Sequence, residues 1–237
     1  MCVPDPMHLL HLGICLVVSG SVFALLLARC RFGTFRGTRR HRISQGLAEA
    51  YRRFCSFTKQ NKLTHSQHRF TINMLGLAKA KSFPELKAKA HNSAVIVQWL
   101  NHELRRDPGA TRTSRACLES LSIVMALFHV KRVHVHFTDQ EAESFVACGQ
   151  AFLRSYAALS HQARARSLRL WPLRPKLHQL AHLLRGVQQT HVRPGWAFAD
   201  EDFNQLVMRS FRGAPNVANL GERTALAARY RLWRSVQ

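Results

Sequence analysis

Acidic residues are scarce in this 237-residue chain: 13 Asp and Glu stand against 35 Lys and Arg, a formal charge of +22. None occurs from Pro6 to Ala48 or from Ser144 to Ala199. A solvated chain of that charge repels itself unless something anionic meets it, so nucleic acid or an acidic membrane surface is the expected partner. Closely spaced cysteines are also missing. The six present (Cys2, Cys15, Cys30, Cys55, Cys117 and Cys148) include no C-x-x-C pair, which argues against a zinc ribbon and a disulfide scaffold and suits a reducing compartment. There is no G-x-x-x-x-G-K-[ST] loop, no G-x-G-x-x-G turn, no G-x-S-x-G elbow and no H-E-x-x-H pair. Nucleotide hydrolysis, dinucleotide binding and serine hydrolase chemistry therefore lack a basis. Alternating strand patterns are few, and no internal repeat is visible.

Apolar residues, by contrast, make up 46% of the chain, ample for a buried core. From Leu12 to Ala28 the sequence carries no charge, at the lower limit of what spans a bilayer as a helix. A cleavable signal peptide is disfavoured, because Asp5 and no Lys or Arg precede the run. The arginines that follow, from Arg29 to Arg42, would suit a signal anchor with the rest of the chain in the cytosol. A helix that is apolar all round is equally the pattern of a buried core helix, with Gly13, Ser19, Gly20 and Ser21 allowing close packing. The core reading is preferred, and a membrane span over residues 12–28 is its alternative.

Helical spacing dominates the remainder. Ile43, Leu47, Ala50, Tyr51 and Phe54 form one stripe. Ser82 with Pro84 and Glu85 has the form of a capping box opening a helix whose inner side is Leu86, Ala90, Val95, Val97, Leu100 and Leu104, ended by Asp107-Pro108-Gly109. Another helix is predicted over Ala116 to Leu127. Thr138 with Glu141 offers a second capping box before Phe145, Cys148, Phe152 and Leu159. Val130 to Phe137 fits either a short strand or a helix end. Pro175 opens a helix with Leu177, Leu180, Ala181 and Leu184 on one face, and two more helices are predicted from Asp200 and from Glu222. The expectation is a mainly α chain of seven to nine helices with little or no sheet, divided as 1–42, 43–190 and 191–237.

Three groups of residues could carry chemistry. Asp5 and His8 form an Asp-x-x-His unit, although Asp5 with Pro6 also fits a helix cap. Asp200, Glu201 and Asp202 stand at a helix start, where the dipole alone favours acids. His178 and His182 lie four apart, a spacing that can bind a transition metal and that packing or phosphate contact explains more simply. The unneutralised basic residues Arg36, Arg39, Arg40, Arg42, Arg166, Arg169, Arg174 and Lys176, with His178 and His182, are the candidate nucleic-acid contacts.

Taken in order, four segments resemble the second half of a cut-and-paste DNA transposase of the CACTA (En/Spm-like) group. Asp5-Pro6-Met7-His8 with His11-Leu12-Gly13 resembles that family's D-x-M-H and L-G segment. Ser82-Phe83-Pro84-Glu85-Leu86-Lys87 is similar to the S-x-x-E-L-K stretch of its helical insertion. Pro175-Lys176-Leu177-His178 through His182-Leu183-Leu184 resembles the P-K-x-H-x-x-x-H-L-L helix, and Trp196 to Asn204 resembles the W-x-F-x-x-E-x-F-N segment.

The resemblance implies a ribonuclease H-like origin in which carboxylates hold two magnesium ions roughly 3.5–4 Å apart for phosphodiester displacement. Carried over, Asp5 and Glu201 would be the catalytic metal ligands, with Asp200 or Asp202 replacing Glu201 if the alignment slips, and His8 an orienting group. The family's first Asp lies more than a hundred residues upstream of its D-x-M-H segment, together with most of the sheet, and only four residues precede Asp5 here. The expectation is a truncated, DNA-binding remnant of the helical insertion and C-terminal helices, nuclear or cytoplasmic, with Asp5 and Glu201 vestigial and Mg2+ relevant only if activity remains. A signal-anchored membrane protein with a basic helical domain is the alternative, and an active Mg2+-dependent strand-transfer enzyme the more remote one.

Overall fold

The computed structural model describes residues 5–78, 82–129 and 137–187. Among them are six helices and no strand, so the chain is mainly α, as the patterning predicts. They are α1 (Met7–Ala28), α2 (Arg39–Gln60), α3 (Ala90–Arg105), α4 (Arg112–His129), α5 (Asp139–Ala165) and α6 (Pro175–Gly186). Residues 1–42 do not stand apart from those after them: Met1–Gly195 forms one compact unit and Trp196–Gln237 another. The second unit, which holds Glu201 and both predicted C-terminal helices, lies outside the described residues, as does most of the ambiguous Val130–Phe137 segment.

Helix α1 is the axis around which the unit is organised. It is long and apolar enough to cross a membrane, yet 78% of its apolar window is buried by the rest of the chain. Its first eight residues, Met7–Ile14, are wound as a π-helix, a wide turn that is rare and concentrates at functional sites. Small residues admit close neighbours, as their spacing suggests. A Cβ at Gly20 would lie 2.5 Å from the Pro84 carbonyl, and Ser21 Oγ accepts a 3.0 Å bond from the Trp171 N–H.

The predicted capping box at Ser82 does not form. Ser82 to Lys89 is an extended strap across α1, with Leu86 N–H donating to Leu16 O at 2.9 Å, and helix α3 begins only at Ala90. The strap is also tied to the preceding turns, through Glu85 N–H to Leu75 O and Lys87 N–H to Met74 O. Burial against α1 outweighs the local capping signal. Leu86, Ala90, Val95, Val97, Leu100 and Leu104 are nevertheless all buried as predicted.

The core is aromatic where α1, α2 and α3 meet. Trp99, fully buried, has Phe23 at 5.6 Å and Phe54 at 5.6 Å between ring centroids, and stacks on Phe32 at 5.9 Å and Phe70 at 5.7 Å. Such ring contacts add to the area they bury. Helix α4 runs longer at both ends than its predicted span. The capping box at the start of α5 forms in full: Glu141 N–H donates to Thr138 Oγ1, and the Thr138 N–H donates to Glu141 Oε2. Three ion pairs tie down the polar edge of the core. Arg29 Nη1 sits 2.8 Å from the buried Asp107, and Glu103 lies between Arg31 and Arg53.

Candidate functional site

Three segments far apart in sequence, 5–13, 82–87 and 174–184, meet along α1. Asp5 stands just before the helix. Its carboxylate accepts the Met7 N–H and the His8 N–H, each at 3.0 Å, and pairs with the His8 ring through Nδ1. That is the geometry of a helix cap, satisfying backbone donors that the first turn leaves open.

Lys176, from the first turn of α6, lies alongside. Its ammonium donates to His8 O at 2.8 Å and to Leu12 O at 3.1 Å. Leu16 O, one turn further on, takes the strap's Leu86 N–H. Carbonyls at positions 8, 12 and 16 of α1 thus each take a donor from outside the helix. Gly13 makes the approach possible, since a Cβ there would fall 2.2 Å from Lys176 Cδ. Across the same cleft Arg174 reaches Glu85 at 3.4 Å. The cleft encloses about 390 Å³ and is lined by Gly13, Val17, Tyr156 and Leu177 among others.

Of the predicted nucleic-acid contacts, Lys176 is therefore turned inward onto backbone carbonyls, and Arg174 is paired with Glu85. Arg36, Arg39, Arg40 and Arg42 are exposed and enter no ion pair among the described residues. Three of them occupy the first turn of α2, whose N-cap Thr38 accepts the His41 N–H. The helix dipole adds positive potential to a turn that holds no acid. Clefts open on both sides of that turn, one apolar and rimmed by Arg39 and Arg42, the other bordered by Arg40, His41 and Phe70. Arg166 and Arg169 are exposed beyond the end of α5.

His178 and His182 project together from the exposed side of α6, their Nε2 atoms 2.8 Å apart. The described residues contain no group of three or more metal-ligating side chains. Glu201, Asp200 and Asp202 lie outside the described residues. What the sequence did not signal is the role of Lys176, because a lysine one residue inside a helix reads as solvated until a glycine and the carbonyls beside it are set against it. Compared with protein-family models, curated proteins and solved structures, the chain matches none.

Proposed function

We propose that the chain is a transposase-derived DNA-binding protein, nuclear or cytoplasmic, that does not carry out strand transfer. One observation carries the DNA-binding part: four arginines from Arg36 to Arg42 stand exposed at the start of α2, unpaired among the described residues, in a chain of formal charge +22. Phosphate backbones are held by such unneutralised basic groups, through release of condensed counterions. The lineage is supported by the meeting of segments 5–13, 82–87 and 174–184 around one cleft, as parts of one ancestral core would meet. Asp5 in a capping role fits a vestigial ligand. Were Mg2+ to bind, Asp5 and Glu201 would be its ligands, but a two-carboxylate set holds two ions poorly.

Anisotropy titration of a random duplex tests the reading. Affinity is expected to fall as salt rises, and replacing Arg36, Arg39, Arg40 and Arg42 by Gln to lower the log–log slope by about 3–4. Negligible binding at low salt, or a slope unmoved by the fourfold change, overturns it. The burial of α1 supports the core reading over a membrane anchor. Retention of the tagged protein in the membrane pellet after alkaline carbonate extraction would reverse that preference.

A further inference from the structure

We propose that His178 and His182 form a two-histidine site for a divalent transition-metal ion of the Ni2+, Cu2+ or Zn2+ class on the outer side of α6. Their Nε2 atoms are 2.8 Å apart, and both side chains are exposed. Imidazole nitrogens bind such ions at about 2.0–2.1 Å, so two of them at adjacent corners of a square-planar or octahedral ion stand about 2.8–3.0 Å from each other. The observed separation is that bite. The ring planes cross at 90° with centroids only 4.4 Å apart, closer than a collinear N–H···N bond would place them. The two Nε2 axes are therefore not collinear, which leaves room for one ion to face both nitrogens.

Without metal, the pair is held by one Nε2–H donating to the other Nε2. Binding needs both lone pairs, so the donor ring moves its proton to Nδ1 and each ring then coordinates through Nε2 as a neutral imidazole. The backbone is ready for this. Helix α6 is fixed at its first turn by Lys176 on α1, and its inner side by buried Leu180, Leu183 and Leu184. Holding two ligands on a rigid element lowers the ordering cost of the site. No third His, Cys, Asp or Glu completes a cluster among the described residues, so water fills the other positions. Imidazole selects against Mg2+, which separates this site from any carboxylate centre.

Ni2+ is the probe, since it does not oxidise the chain's thiols. Calorimetric titration of the full chain is expected to show one tighter class of about one ion per chain, weakened at least tenfold in both His178→Gln and His182→Gln. His161→Gln, which removes an exposed histidine of α5, should leave it unchanged. Saturating Ni2+, but not Mg2+, should slow amide hydrogen exchange across residues 179–185 in the parent chain. Isotherms of either α6 variant superimposable on the parent's, or exchange in α6 indifferent to Ni2+, would overturn the proposal.

Discussion

Lys176 lies across Gly13, its Cδ where a Cβ on that glycine would have to be and its ammonium on the carbonyls of His8 and Leu12. The relationship ties the wide first section of a long apolar helix to α6: a cation from that helix adds a donor to two of its carbonyls. Lys176→Ala is expected to cost about 1–2 kcal/mol of unfolding free energy, toward the low end because the His8 carbonyl remains in reach of water. Gly13→Ala should destabilise the parent chain. In the Lys176→Ala background the same change should cost clearly less, because only the His8 carbonyl, 3.1 Å from the added Cβ, is then left to give way. Denaturant melts of the four proteins give the cycle, and additive effects would contradict the contact.

Glu49 links stability to acid. Hydrogen bonds from Arg52, and after them Arg53, hold its carboxyl near about 2 despite an opposing contribution from burial. The folded value lies below the ordinary 4.5, so the stabilisation is complete above about pH 4.5 and is lost as pH falls toward 2. Solvent screens the site, which keeps the contribution below about 1 kcal/mol. In Glu49→Gln the fall in Tm between pH 4.5 and 2 should be shallower than in the parent, and the difference should shrink at high salt.

The thiols divide by accessibility. Cys15 and Cys117 are fully buried, Cys15 with its Sγ 3.6 Å from Met125 Sδ, and burial pushes both thiols well above their ordinary range. Cys30 is exposed in a left-handed backbone conformation at φ 53°. Thiolate is the reactive form. Iodoacetamide at neutral pH should modify Cys30 rapidly and reach Cys15 and Cys117 only when the chain unfolds, as read by mass spectrometry of peptides. Simultaneous labelling of Cys15 and Cys30 would contradict the burial of α1.

Much of this architecture is legible from periodicity. The α2 stripe, the Thr138–Glu141 box and the Pro175 start are local signals, and local signals decide elements that bury one face. Ser82-Phe83-Pro84-Glu85 misleads because its fate is set at a distance. Gly20 leaves a groove on α1, and the strap's backbone bonds to Leu16 and Met74 outweigh the cap. The candidate site is only partly readable for the same reason. Asp5 and His8 advertise themselves by type and spacing, whereas the inward turn of Lys176 depends on a helix 164 residues earlier in the chain.

Covering α1 from residues so far downstream has a consequence for biosynthesis. Its partners at Trp171 and Lys176 emerge from the ribosome about 150 residues after Ser21. At translation rates of about 5–20 residues per second, the nascent helix spends roughly 8–30 s without its lid. For that interval the face of α1 that Trp171 and Lys176 later cover stays open to targeting factors and holdase chaperones, so the yield of native protein depends on how fast elongation carries α6 into place.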